Sequence, residues 1–295
     1  MLGVINLDKP VGPTSHDMVG LMRRLTGTRR IGHAGTLDPL ASGVLPILVD
    51  AATRFSADLT GGPKRYDAVM RLGWRSATDD GQGPIVRGGD VPSVAEAVAA
   101  LPSLVGTFDQ RPPAFSARKM GGQTGHRAAR AGTPLDLPER RVTVERIDVL
   151  ETDAADDYLD LRIDLRCGPG TYVRSIARDL GERLGCGGYL AALRRTEAAG
   201  LMVADAHSPE ELELLAASGR LNEAMVPVTD LLPLPRIQLT ALQAERCTHG
   251  SPVAVDPGSG DGRSAVLSDG RLIGTGRLAA GVLYPEKVIA AGAGE

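Results

Sequence analysis

The feature that most constrains the fold of this 295-residue chain is a stretch in which apolar and charged side chains alternate strictly. Apolar residues occupy every second position from Leu159 to Cys167, and aspartate and arginine lie between them. Successive side chains of a strand point to opposite faces, so this period predicts a half-buried β-strand. Residues 65–72 repeat the pattern. Two such strands indicate a sheet that packs one face against a hydrophobic core.

Helix signals lie between the strand signals. A Ser or Thr followed three residues later by Asp, Glu or Gln predicts helix starts after Thr14, Ser93, Ser208 and Thr240. Glycines predict the ends of three of these helices and of one after residue 175, at Gly27, Gly185, Gly219 and Gly250. Short apolar runs at 4–7 and 44–49 predict further strands. Strands mixed with helices favour an α+β fold with a mixed, largely antiparallel sheet flanked by helices.

A change of character near Pro235 predicts a domain boundary. The proline-rich LLPLPR at 231–236 precedes a short helix and then two apolar runs joined by Ser-Asp-Gly, which is typical of a β-hairpin. We therefore expect a large domain over residues 1–232 and a small β-rich domain over 236–295.

The charge distribution is compatible with an RNA partner without requiring one. The net charge of -3 alone argues weakly against nucleic acid. The acidity is local, because residues 196–295 hold 7 basic and 13 acidic side chains. Residues 111–146, by contrast, hold eight basic side chains against three acidic ones. Such a cluster can follow a phosphate backbone, although a solvated surface is the alternative.

Missing signals narrow the class of protein. A transmembrane run and a signal peptide are both absent, so we expect a cytoplasmic protein without a membrane partner. Three distant cysteines predict reduced thiols, and five histidines without an HxxxH pair predict no metal site. Phosphate-binding loops, dinucleotide-binding glycine motifs, nucleophile elbows and zinc-deaminase motifs are also missing. The class of reaction that remains after these exclusions is one that needs no cofactor.

Asp38 is the candidate for that chemistry. It lies in the glycine-rich segment 32–43, just before the apolar run. Loops held by a rigid sheet often carry catalytic groups. An Asp-Pro pair in such a segment is more often a simple turn, so both interpretations stay open on these grounds.

Five segments resemble, in order, signature motifs of the tRNA pseudouridine synthase B family. They are LDKPVGPTSHD (7–17), GHAGTLDPLASGVLPI (32–47), KRYDAVMRLG (64–73), GTYVRSIARDLGERLG (170–185) and YLAALRR (189–195). The resemblance covers residues 1 to about 200, and residues 236–295 resemble the family's small PUA-like RNA-binding domain more weakly. It implies a pseudouridine synthase domain that isomerises uridine 55 in the T arm of tRNA.

The resemblance assigns roles to individual positions. Asp38 matches the aspartate that forms a covalent adduct at C1′ or at uracil C6, and Arg174 matches its arginine partner. Tyr66 matches a tyrosine that stacks on the uracil and helps to move a proton. His33 matches a histidine that occupies the space the base leaves. Without the motifs, Tyr66 would be a core aromatic and His33 a surface hydrogen bonder.

Further matches are less distinctive. Tyr172 and Leu193 match residues that line the uracil pocket, although either could simply belong to the core. Lys9 and Asp80 match positions near the site.

The segment 105–145 matches an RNA-contacting insertion, in which the resemblance makes Arg118, Lys119 and Arg130 candidate RNA-binding residues. His126 stands where the family usually has tyrosine, which leaves the contacts of this segment in doubt.

The sequence thus predicts a tRNA pseudouridine(55) synthase, an isomerase without cofactor or metal. We expect a monomer whose partner is the tRNA T-arm stem-loop, with no obligate protein partner. A tRNA-binding chaperone in which modification is secondary is the alternative. A scaffold-guided synthase of larger ribonucleoprotein particles is disfavoured, because the chain lacks a long basic tail.

Overall fold

A computed structural model describes residues 3–115, 137–255 and 260–289, together with the backbone of residues 119–120 and 123–124. The strands described are β1 Gly3–Lys9, β2 Ile31–His33, β3 Ala41–Val49, β4 Lys64–Leu72, β5 Trp74–Ser76, β6 Ile85–Arg87, β7 Gly106–Gln110, β8 Lys119–Met120, β9 Gln123–Thr124, β10 Arg140–Ala154, β11 Leu159–Cys167, β12 Gly188–Ala198, β13 Leu201–Met202, β14 Met225–Val226, β15 Arg236–Leu239, β16 Val253–Ala254, β17 Gly262–Ser268, β18 Arg271–Ala279 and β19 Val282–Val288. The α-helices described are α1 Ser15–Thr26, α2 Ser56–Thr60, α3 Val94–Ala100, α4 Val173–Arg183, α5 Pro209–Ala217, α6 Val228–Leu231 and α7 Ala241–Thr248.

Ten strands form one large sheet. Its main path runs β14-β1-β3-β12-β4-β11-β10-β7, with β2 paired to β3 and β13 paired to β12. The β12–β3 pair is parallel and the other neighbouring pairs are antiparallel. The expected α+β fold with a mixed, largely antiparallel sheet is therefore confirmed.

The helix starts and the strand alternation predicted from local sequence signals are found in the structure. All four capping boxes are present, with Thr14, Ser93, Ser208 and Thr240 as N-caps. Each pairs an otherwise unsatisfied backbone N–H with a side-chain oxygen at the helix start. In β4, alternate residues from Lys64 to Leu72 are buried, as the period of two requires.

Helices cover the large sheet in two places. The buried face of α4 packs through Ile176 and Leu180 against the apolar side of β4 and β11. Helix α1 packs through Met18 and Met22 against β1 and β3. Both helices lie next to the loops that carry the candidate site residues.

The second sheet, in the order β15-β17-β18-β19-β16, belongs to the C-terminal region. An apolar cluster joins the two regions, with Phe55 and Leu59 on one side and Leu267 and Ile289 on the other. This contact holds the small β-rich region against the large sheet.

Both ends of the segment expected as an RNA-contacting insertion, 105–145, lie in the large sheet. Strand β7 pairs with the start of β10. Arg141 contacts Asp109 at 3.3 Å, and Arg146 contacts Asp148 at 2.7 Å and Asp164 at 2.8 Å. These two arginines already have acidic partners, which weakens the case for them as phosphate ligands. In the part of the chain described, no helix has the length and apolar character needed to span a membrane.

Candidate active site

Asp38 lies in the loop between β2 and β3, and helix α1 holds that loop. The Ser15 hydroxyl donates to the Leu37 carbonyl at 3.0 Å and accepts from the Leu37 N–H at 2.8 Å. The Pro39 carbonyl accepts from the Gly12 N–H at 2.8 Å. The loop is therefore fixed on both sides of Asp38, whose side chain remains 26% exposed.

Arg174 joins Asp38 to a second carboxylate. Its Nη2 lies 2.8 Å from Asp38 Oδ2, and its Nη1 lies 3.3 Å from Asp80 Oδ2. It also donates to the Thr78 and Phe115 carbonyls, at 3.0 and 2.8 Å. The arginine side chain is 4% exposed, so the pair operates largely out of water, where opposite charges interact strongly.

A cavity of about 330 Å³ opens beside this pair. Its lining includes Asp38, Tyr66, Tyr172, Arg174 and Leu193, all proposed from sequence. These residues come from the β2–β3 loop, β4, the start of α4 and β12. The volume of the cavity lies at the lower end of the range for sites that bind small molecules.

Three other candidates from the sequence lie near the cavity without lining it: Asp80, Lys9 and His33. Asp80 accepts hydrogen bonds from the Thr78 hydroxyl at 2.6 Å and from the Gln82 N–H at 3.0 Å. Lys9 is fully buried and donates to the Pro10 and Pro13 carbonyls at 2.8 and 2.7 Å. Burial lowers the pKa of Lys9 to about 8, although the charge of Asp38 opposes this shift.

His33 ends strand β2. Burial, and then the charge of Arg195, lower the pKa of its imidazole, which favours the neutral ring. Its buried Nδ1 has no hydrogen-bond partner among the described residues. A buried ring nitrogen without a partner carries a desolvation cost, which a ligand that hydrogen-bonds to it would offset.

Sequence reasoning missed two buried basic residues in the cavity wall, Lys64 and Arg195. Lys64 donates to the Gly62 carbonyl at 2.7 Å, and burial lowers its pKa to about 8. A signal for it existed, because Lys64 is in phase with the buried face of β4. Arg195 lies directly opposite Tyr66 in the β12–β4 ladder, which only the sheet topology reveals.

The candidate RNA-binding side chains of Arg118, Lys119 and Arg130, and also His126, lie outside the described residues. Among the described residues, no group of three or more His, Cys, Asp or Glu side chains is arranged to hold a metal ion.

Family profiles match almost the whole chain. Residues 23–173 match TruB family pseudouridylate synthase (N terminal domain), 174–233 match tRNA pseudouridylate synthase B C-terminal domain, and 235–289 match Pseudouridine synthase II TruB, C-terminal.

Named relatives and solved structures agree with the profiles. A tRNA pseudouridine synthase B of Corynebacterium aurimucosum is 42% identical over 90% of this chain and 91% of its own length. The Dechloromonas aromatica protein of the same name is 41% identical over 97% of this chain and 95% of its own length. A chain in the crystal structure of a Cbf5-Nop10-Gar1 complex is similar with a TM-score of 0.73 at 27% identity, over 97% of this chain and 84% of that one. A chain in an H/ACA RNP bound to a substrate RNA containing 2′-deoxyuridine has a TM-score of 0.72 at 25% identity, over 98% and 85%. Profile matches from residue 23 to residue 289 and long relatives above 40% identity show that this chain belongs to the TruB family of pseudouridylate synthases.

Proposed function

We propose that this protein converts uridine 55 in the T arm of tRNA to pseudouridine, with the carboxylate of Asp38 as the nucleophile. The observation that carries the proposal is the Asp38–Arg174 pair, 2.8 Å apart, in the wall of a cavity that also contains Tyr66. The names of the relatives support tRNA as the substrate.

The chemistry requires little more than a positioned carboxylate. Pseudouridine formation breaks the N1–C1′ bond of uridine, turns the uracil and joins its C5 to C1′, with no change of oxidation state. A carboxylate can attack the sugar at C1′ or the base at C6, and both routes remain open for Asp38. Arg174 compensates the negative charge of Asp38 inside the cavity.

The target base must leave its stack before Asp38 can reach it. We expect Tyr66 to stack on the uracil, which is worth about 1–3 kcal/mol for an aromatic ring on a base. Tyr172 and Leu193 are expected to enclose the ring, because both line the cavity. His33 is expected to occupy the space in the RNA that the base leaves.

Lys9 and Asp80 support the site indirectly. Lys9 holds the Pro10–Pro13 turn, and its charge acts on Asp38 from close range. Asp80 shares Arg174 with Asp38, so it helps to fix the guanidinium.

Binding of the tRNA is assigned to other parts of the chain. Arg118, Lys119 and Arg130 are proposed to contact the phosphate backbone. Residues 1–232 are proposed to form the catalytic domain, and residues 236–295 a small PUA-like domain that adds affinity. We expect a monomer in the cytoplasm that needs no cofactor, metal or obligate protein partner.

The test is a single-turnover reaction with excess enzyme and unmodified tRNA, followed by mapping of pseudouridine at single-nucleotide resolution. The parent protein should modify position 55 alone, and a tRNA with cytidine at that position should give no product. Asp38→Asn, which is nearly isosteric, should still bind tRNA but lower the rate by at least about 10⁴-fold.

Asp160→Asn is the matched control, because Asp160 also pairs with an arginine, Arg71, at 2.6 Å but lies outside the cavity. It should keep the parent rate. Residual activity of Asp38→Asn within about a hundredfold of the parent would exclude covalent catalysis by Asp38. A parent that binds tRNA tightly but forms no pseudouridine would favour the chaperone.

A further inference from the structure

Arg195 is a buried cation that has no acidic partner among the described residues. It is 1% exposed, and none of the ion pairs among the described residues includes it. Arg174, which also lines the cavity, contacts two carboxylates. A guanidinium held away from water and from carboxylates is costly, so its position calls for another interaction.

Two carbonyl groups fix the orientation of Arg195. Its Nε donates to the Val44 carbonyl at 2.7 Å, and its Nη2 donates to the Gly35 carbonyl at 3.0 Å. The backbone of β12 at Arg195 lies so close to Gly43 that a Cβ there would be 2.2 Å from the Arg195 carbonyl oxygen. Since both the backbone and the side chain are constrained, the guanidinium has little freedom to move.

Tyr66 is the cross-strand neighbour of Arg195. The two residues are direct partners in the antiparallel ladder, where opposed side chains share a face, and both line the cavity. Burial raises the pKa of Tyr66 to about 12, whereas the positive charge of Arg195 acts in the opposite direction. Burial lowers the pKa of the Arg195 guanidinium, and Tyr66 opposes that shift.

The chemistry of the two groups allows only one direction for a hydrogen bond between them. A guanidinium has only donors, so the Tyr66 oxygen would be the acceptor. The phenolic O–H is then left to donate elsewhere, and the cavity that contains Asp38 is on the same side.

We propose that Arg195 is a positioning residue that turns the Tyr66 hydroxyl toward the substrate cavity and stabilises negative charge on its oxygen. The proposal rests on the proposed function, because Tyr66 matters only if the cavity binds the uracil. Arg195 acts through Tyr66 and need not touch the substrate.

The test is a double-mutant cycle on the single-turnover rate at saturating tRNA. Arg195→Met should lower the rate by about 100-fold, which is typical for loss of one preorganised donor. Binding of tRNA should change by less than about threefold, because the loss falls on the chemical step. In a Tyr66→Phe background, the same Arg195→Met change should cost less than about threefold, because the coupled partner is already gone.

Arg194→Met is the matched control. Arg194 is the neighbouring residue on β12 and pairs with Asp8 at 2.6 Å, outside the cavity. It should keep the parent rate. Arg195→Lys keeps a cationic donor and should recover at least about tenfold of the loss in Arg195→Met. Thermal unfolding of each variant confirms that it is folded, and Arg195→Gln replaces Arg195→Met if the latter does not fold.

The outcomes separate the two proposals. A parent that makes no pseudouridine overturns the proposed function. An active parent with Arg195→Met within about threefold of its rate overturns only the role of Arg195. A full loss that persists in the Tyr66→Phe background also overturns it, because Arg195 would then act through the Asp38 loop. If Tyr66→Phe falls below detection, equal rates for the Lys and Met variants overturn the role, and a faster Lys variant supports it.

Discussion

Asp58 holds the C-terminal sheet against the catalytic sheet, and its removal should weaken the whole protein. Its carboxylate, in α2, is 8% exposed. It accepts hydrogen bonds from Arg263 Nη1 at 2.9 Å and from Lys287 Nζ at 2.6 Å, on β17 and β19. The apolar cluster around Phe55 and Leu59 lies beside it. The Asp58 carboxylate therefore pairs with two basic side chains of the C-terminal region.

The cost of Asp58→Ala can be estimated from these contacts. Removing one partner of a fully buried pair costs about 3–5 kcal/mol. Here the cations are 32% and 27% exposed, and Arg263 keeps a second partner in Glu286 at 2.7 Å. Water and Glu286 relieve part of the loss, so we expect the free energy of unfolding to fall by about 2–3 kcal/mol at pH 7.

The pH dependence provides a second signature. Burial raises the pKa of Asp58, but the hydrogen bonds from Lys287 and Arg263 outweigh it, so the pKa lies below its ordinary value. A lowered carboxyl pKa stabilises the fold above the pKa of the unfolded chain, about 4, and this contribution is lost as the pH falls through the folded value. The difference between parent and Asp58→Ala should be constant from pH 6 to 8 and shrink below about pH 4.

Urea unfolding followed by circular dichroism measures this difference directly. Glu223→Ala is the control, because its ion pair with Arg220 is exposed on both sides, and it should leave the unfolding midpoint unchanged. A loss below about 0.5 kcal/mol for Asp58→Ala would mean that the interface depends on apolar contact alone. A difference that does not shrink as the pH falls below about 4 would show that the carboxylate charge is not its source.

Two further predictions test the loop and the RNA-binding segment. Gly43→Ala should lower the free energy of unfolding, measured by urea titration, by at least about 3 kcal/mol. The reason is that Gly43 has φ +101° and no room for a Cβ. Gly20→Ala in α1, where the space is open, is the control and should be neutral or stabilising. Replacing Arg118, Lys119 and Arg130 together with glutamine should weaken tRNA binding and reduce the slope of log K against log salt by up to about three units. An unchanged slope would exclude this segment from the RNA interface.

The parts of the fold that could be predicted from the sequence depend on neighbouring residues. Capping boxes such as Ser93 with Glu96 act over one helical turn, and all four occur where they were expected. Strands β4 and β11 follow from their alternation and pair along their whole length. In these segments the local preference and the tertiary structure agree, so local reasoning was sufficient.

Strand β12 could not be predicted in the same way. Irregular register between Leu190 and Ala192, and again between Arg195 and Glu197, interrupts its alternation. Its neighbours β3 and β4 precede it by more than a hundred residues, so its central place in the sheet depends on long-range pairing. The motif at 189–195 indicated importance without indicating a strand.

The candidate site likewise contains a contact that could be predicted from the sequence and a residue that could not. The contact between Asp38 and Arg174 was expected from the resemblance, and the two side chains are indeed paired. Their catalytic roles stay predictions. Arg195 was missed because arginine is rarely buried fully, so sequence reasoning assigns it to the surface by default.

The burial of Arg195 is part of a wider electrostatic pattern at the site. Lys9, Lys64, Arg174 and Arg195 are the basic side chains buried among the described residues, and all surround the loop of Asp38. Only Arg174 is paired with carboxylates; the two lysines and Arg195 are held by carbonyls. Burying cations on neutral groups costs stability, and an anionic ligand offsets that cost when it binds. A polyanion such as tRNA, or a base that gains negative charge as its glycosidic bond breaks, meets a preorganised positive field at this cavity. We therefore expect the excess of buried cations to serve the proposed reaction, with the stability of the fold supplied elsewhere, in the sheet and in the interface around Asp58.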